Sequence, residues 1–169
     1  MKIRTKSIAI VGIVAAVYAA VTISQAAIGF GPIQFRVAEA LNLLAFFNPI
    51  FVPGIVLGVF TANIFSPYGV LDMVFGTAAT YIALMLILQT KRLTNSLFLA
   101  SLWPTIINAI IIPMVFLTYG GVAITMASFL PFAASVALGQ FTVVTVFGYT
   151  FCRILIAKNP RFIEILKAV

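Results

Sequence analysis

Apolar residues along this chain come in long continuous runs, not in the every-second-residue alternation of a barrel strand, so the pattern predicts helices. Four runs, at about 7–27, 70–89, 97–117 and 125–151, each have the roughly 20 residues that a helix needs to cross the hydrocarbon core of a bilayer. The region 37–66 is also apolar. As one straight helix it would reach about 45 Å, too long for a single perpendicular pass. Pro49 and Pro53 fall in its middle, where a missing N–H and the proline ring break a helix. It is therefore read as two helices, 36–48 and 50–65. The expectation is an all-α membrane protein: one domain over 1–169 with six transmembrane helices.

Composition agrees. The chain is 63% hydrophobic and 8% charged, with a mean hydropathy of +1.22. A water-soluble domain carries about 25% charged residues, so this one lacks the polar surface that water requires. Residues 1–28 have the basic start and apolar run of a signal peptide. The run is longer than a usual signal core, and more apolar helices follow it, so it is read as the first membrane helix. The net charge of +7 would suggest nucleic acid on a soluble protein. Here Lys2, Arg4, Lys6, Lys91, Arg92, Arg153, Lys158, Arg161 and Lys167 flank the apolar runs, as the positive-inside rule requires. Placing these groups in the cytoplasm demands four crossings before Lys91 and two after Arg92, with both termini inside. Only Arg36 then falls in an outer loop. The tail from Lys158 onward suits a short interfacial helix. With a single cysteine no internal disulfide forms; with no histidine, His-based and zinc chemistry are excluded; with no phosphate-binding loop the chain does not hydrolyse ATP by itself. Nothing points to an enzyme, a cofactor or a bound metal.

The chain has only three acidic residues, and two fall at membrane level. Glu39 lies in "QFRVAEALN", three residues after Arg36, and Asp72 follows "ANIFSPYG". In the six-helix topology both sit in the outer half, at one depth. Charged groups there are costly and face protein or a cavity. An ion pair of Glu39 with Arg36 and a helix cap by Asp72 explain the two acids structurally; a pocket open to the outside and lined by two carboxylates explains them functionally. Asn42 shares a helix face with Glu39. Asn63, Asn108 and Gln140 add neutral polar groups, each of which also suits interhelical glue. Tyr68 and Phe35 are placed to stack on a flat ligand or to anchor at the interface. The apolar, glycine-containing loop "IGFGPIQFR" suits a lid over the pocket mouth, or a connector in the headgroups. In "AAVYAA" of the first helix, Ala15 and Ala19, Ala16 and Ala20, and the line Gly12–Ala16–Ala20 offer small residues for close approach of a partner or of a neighbouring helix.

Taken together, "QFRVAEALNLLAFFNP", "ANIFSPYGVLDMVFGT" and "WPTIINAIIIP" resemble the QueT family, over about residues 7–150. These are substrate-binding (S) components of energy-coupling factor (ECF) transporters, importers of the ABC class. In "PFAASVALGQ" of the sixth helix, where the family leads us to expect a polar or acidic residue, this chain has Ala133, Ala134 and Ser135. The resemblance implies an S-component bundle in the bacterial cell membrane that takes up a queuosine precursor, most readily 7-aminomethyl-7-deazaguanine (preQ1). It also implies a transmembrane coupling protein and two cytoplasmic ATPases as partners, docking through the small-residue face of the first helix, and toppling in the membrane. An S component for another vitamin-like solute, or a self-sufficient small carrier, is the alternative. On this reading Glu39 and Asp72 take the base edge and the ammonium in an order the sequence leaves open; Asn63, Asn108 and Gln140 serve the carbonyl and ring nitrogens, with Arg36 and Asn42 alongside.

Overall fold

A computed structural model describes residues 5–31, 33–159, 161, 164 and 166. The basic residues Lys2, Arg4 and Lys167, and most of the tail expected to be interfacial, lie outside the described residues. All six expected helices are present: α1 Thr5–Ser24, α2 Val37–Phe47, α3 Phe51–Asn63, α4 Asp72–Leu93, α5 Leu97–Tyr119 and α6 Met126–Lys158. Of these, α1, α4, α5 and α6 are long and apolar enough to cross a membrane, whereas α2 and α3 are shorter. The boundaries follow local chemistry. Asn48 ends α2 in an extended conformation (φ −151°, ψ 128°), which the following Pro49 favours. Its side-chain oxygen accepts from the Ile50 N–H at 3.0 Å, turning the chain into α3. Ser96 caps α5 by accepting from the Leu99 N–H. Thr125 and Ser128 form a reciprocal capping box at the start of α6.

Three helices depart from regular α geometry. Residues Val37–Leu43 of α2 are 3-10 helix, which rises about 2 Å per residue, so this short segment reaches further than an α-helix of equal length. Asp72–Gly76 in α4 and Phe141–Tyr149 in α6 are π-helical, a wider coil found mostly at functional sites.

Close packing of α1 on α3 sets the frame. Gly54 and Gly58 of α3 form a small-residue groove. A Cβ at Gly58 would lie 2.7 Å from the Tyr18 Cβ and 2.9 Å from the Ala15 carbonyl oxygen; one at Gly54 would lie 2.9 Å from the Val11 carbonyl oxygen. Only glycine admits that approach, the usual device for helix association in lipid. It also fixes which face of α1 is internal. Ala15, Tyr18, Ala19 and Thr22 are buried, while Gly12, Ile13, Ala16, Val17 and Ala20 are exposed. The small-residue stripe expected to dock a partner is thus divided. Ala15 and Ala19 are covered within the chain because they share the Tyr18 face, and Gly12, Ala16 and Ala20 remain open.

The main core joins Tyr18, Leu43, Phe46, Ile55, Val59, Leu84, Ile87 and Val144 from five helices. A second cluster, nearer the loop between α3 and α4, joins Ile112, Phe116 and Val136, with Tyr68 and Phe132 packed against it. Between them lies a buried polar layer.

Candidate functional site

Arg36, the last residue before α2, places its guanidinium between the two membrane-level acids. Its Nη1 lies 3.8 Å from Glu39 Oε1 and its Nη2 lies 3.7 Å from Asp72 Oδ2. Both separations exceed the roughly 2.7–2.9 Å of a docked charge-assisted hydrogen bond. The cation is therefore shared between the carboxylates instead of being seated on either one. All three side chains are at most 3% exposed, so the two pairs are shielded from water and screened little by salt. Two carboxylates and one guanidinium leave a formal charge of minus one in the layer.

The two acids differ in their other partners. Glu39 Oε1 accepts from the Tyr18 hydroxyl at 2.7 Å, and Oε2 accepts from the Asn42 side-chain amide. The Asn42 bond follows from helical spacing, three residues along the same face. Tyr18 could not be read from the sequence as a site residue. It sits at the centre of "AAVYAA" among residues that signal only packing, and its role appears once α1 is held against α3 and α2. Asp72, by contrast, accepts no hydrogen bond at either carboxylate oxygen, although it is fully buried. The π-helical turn folds its side chain back along α4, so that a Cβ at Gly76 would fall 2.5 Å from Asp72 Oδ1 and 2.9 Å from the Asn63 amide nitrogen. That nitrogen donates to the Asp72 main-chain carbonyl at 2.9 Å, leaving the Asn63 side-chain oxygen unpartnered.

The remaining polar residues are also buried. Asn108 on α5, a helix that packs against the Asp72–Gly76 turn, is 2% exposed, and Gln140 on α6 is 1% exposed. The Asn108 amide nitrogen, the Gln140 side-chain oxygen and the Asn42 side-chain oxygen lack hydrogen-bond partners. Glu39, Arg36, Asn42, Asp72 and Asn63 are thus joined by direct contacts, with Asn108 and Gln140 on flanking helices.

The two stacking candidates fall elsewhere. Phe35 packs against the main core. The Tyr68 ring is engaged by Phe116 at 4.6 Å and Tyr119 at 5.4 Å between centroids. Tyr68 stays connected to the site by its hydroxyl, which donates to the Phe30 carbonyl at 3.2 Å. Partial burial, and then the charge of Asp72, push that phenol above its ordinary pKa, so it remains a donor. Phe30 is buried beside the charged layer, with the Arg36 guanidinium 5.0 Å from its ring centroid.

The backbone at Ile33 and Gln34, in the loop before α2, lies against α6 at Gly139. Gln34 is 1% exposed, adopts a left-handed φ of 51°, and has an unpartnered side-chain nitrogen. The Ile33 carbonyl oxygen would be 1.8 Å from a Cβ at Gly139, so the absence of a side chain at that point of α6 lets the loop settle. Gln34 stands in the stretch that first draws attention to the site, yet a lone glutamine in a loop carries no signal until burial shows that it is enclosed.

Residues 8–157 match the family described as QueT transporter. A curated relative, "Queuosine precursor transporter QueT" from Lactococcus lactis subsp. cremoris (strain MG1363), is 38% identical over 87 residues, covering 50% of this chain and 51% of the relative. The match thus spans about half the length of that relative. No solved structure matches. With the family match covering most of the chain and several long apolar helices, the chain belongs to the QueT transporter family and is a multi-pass protein of the bacterial membrane.

Proposed function

We propose that this chain is the substrate-binding component of an ECF-type importer and takes up a queuosine precursor, preQ1 foremost. The observation that carries the proposal is the polar layer itself: a set of fully buried donors and acceptors without partners, at minus one formal charge, inside a chain of the QueT transporter family. An unpartnered buried polar group costs about 1–3 kcal/mol, and several in one layer form a site prepared for a polar ligand. PreQ1 brings a flat guanine-like edge of donors and acceptors and an ammonium arm. Gln34, Asn63, Asn108 and Gln140 offer amide groups complementary to such an edge.

In this reading all six helices span the membrane with both termini cytoplasmic, α2 and α3 crossing as short, closely packed segments. The basic residues Lys6, Lys91, Arg92, Arg153 and Lys158 then share the cytoplasmic side. Gly12, Ala16 and Ala20 form the exposed part of α1 on which the transmembrane coupling protein docks, with two cytoplasmic ATPases supplying the energy for toppling. Titration of purified protein with preQ1, guanine and queuine tests the ligand, and mass spectrometry of co-purified small molecules tests it without a preconceived candidate. Tightest binding of preQ1 is expected. Equal binding of guanine would remove the role given to the ammonium. Uptake into liposomes by this chain alone, without ATPases, would overturn the ECF reading in favour of a self-sufficient carrier.

A further inference from the structure

The two buried carboxylates have different tasks, and we propose that Asp72 is the acceptor for a singly positively charged group of the ligand while Glu39 is a structural carboxylate held in place by Tyr18 and Asn42. The inference deepens the proposed function and rests on it for the identity of the ligand, though not for the division of roles.

The physical ground is the contrast in partners. Each Glu39 oxygen already accepts a hydrogen bond, from Tyr18 and from Asn42, and Oε1 also faces Arg36. A carboxylate held in this way has both oxygens engaged by the protein and needs no ligand to satisfy them. Tyr18 is fully buried and packed closely against α3, where a Cβ at Gly58 would lie 2.7 Å from its own Cβ. Asp72 is as deeply buried, yet among the described residues neither carboxylate oxygen accepts a hydrogen bond, and the shared guanidinium lies 3.7 Å away. A fully desolvated carboxylate in that state is costly to the protein. The Asn63 side-chain oxygen beside it is also unpartnered. A ligand ammonium has three donors and one positive charge, which would satisfy these acceptors and bring the layer from minus one to neutral. A neutral ligand leaves the negative charge in place, and a doubly charged one overshoots it. The site therefore selects for charge at Asp72 and for shape elsewhere.

The test has two arms. In the first, ligand-free protein in detergent is melted. Neutralising Asp72 (Asp72→Asn) removes an unsatisfied buried charge, so the melting temperature is expected to stay level or to rise. Glu39→Gln leaves one accepting oxygen where Tyr18 and Asn42 use two, and removes the charge facing Arg36, and Tyr18→Phe removes a donor from Glu39, so both are expected to lower it. If Glu39→Gln does not yield folded protein, Tyr18→Phe carries this arm. A fall for Asp72→Asn as large as that for Tyr18→Phe overturns the division of roles. In the second arm, wild type and Asp72→Asn are titrated with preQ1 and with 7-deazaguanine, which lacks the aminomethyl arm. Asp72→Asn is expected to lose about 30-fold or more for preQ1 and only a few-fold for 7-deazaguanine. An equal loss for both ligands overturns the assignment of the ammonium to Asp72. If wild type binds neither compound, the proposed function falls, while the melting arm still decides between the two carboxylates.

Discussion

The two ends of the bundle treat polar side chains in opposite ways. Near the turn between α4 and α5, polar groups are paired with one another. The Trp103 indole N–H donates to the Thr90 hydroxyl at 2.7 Å, Lys91 donates to Asn95 at 2.7 Å, and the Thr145 hydroxyl donates to the Ser101 carbonyl at 3.1 Å. Toward the loop between α3 and α4, Gln34, Arg36, Asn42, Asn63, Asp72, Asn108 and Gln140 each keep at least one buried polar atom without a hydrogen-bond partner. The groups are chemically similar in both places. What differs is whether the fold supplies the partner or reserves the place for one. On the proposed function, the first end serves stability and the second gives some of it up to bind a polar ligand, the usual trade at a binding site.

That contrast can be broken in graded steps. The largest effect is expected from Arg36→Ala, which leaves Glu39 and Asp72 buried without their shared cation. Removing one partner of a buried ion pair costs about 3–5 kcal/mol, so the variant is expected to melt far below wild type, and Arg36→Lys to recover part of the loss. Gly58→Ala comes next. A Cβ there would meet Tyr18 and the Ala15 backbone, as the 2.7 and 2.9 Å approaches show, and overpacking of this kind costs about 1–3 kcal/mol. Because the same step displaces Tyr18 from Glu39, thermal unfolding and ligand titration are both expected to worsen. Trp103→Phe removes one hydrogen bond at the paired end, worth about 1 kcal/mol. It should lower the melting temperature slightly and leave ligand affinity unchanged; a change in affinity would mean that the two ends are coupled. The smallest effect on the isolated protein is expected from Ala16→Leu, on the exposed side of α1. Stability and ligand binding should match wild type while uptake by the assembled transporter is lost. Normal uptake would remove this face from the docking surface.

Much of the fold was legible because lipid-scale helices announce themselves by length and by proline. The run at 97–117 became α5 at Leu97–Tyr119, and the break expected at Pro49 appeared there, whereas Pro53, also expected to break the region, lies in the first turn of α3, where its missing N–H has no helical partner to lose. The run at 7–27 ended earlier, at Ser24, with a separate helical turn over Ala26–Gly29, and the last helix ran on to Lys158. Helix ends depend on local turns that hydropathy does not encode. The site was legible in kind. Glu39, Arg36, Asp72, Asn42 and Asn63 stood out as polar residues in apolar surroundings, and they do meet. Phe35 packs against the main core and Tyr68 against Phe116 and Tyr119, surroundings that depend on which helices lie beside each ring. Phe30, the ring over Arg36, looked the same as any other loop aromatic.

By itself, the sequence determined the environment and the inventory: apolar runs long enough for a bilayer, basic residues at their ends, and a few polar groups that lipid would not tolerate alone. Tertiary structure decided the pairing. Gly54 and Gly58 bring α1 close enough for Tyr18 to occupy Glu39, and the π-helical turn over Gly76 leaves Asp72 without a hydrogen-bond donor. The reason is range. Burial of an apolar run follows from its own residues, but whether a buried carboxylate is satisfied depends on ångström-scale approach of groups far apart in the chain.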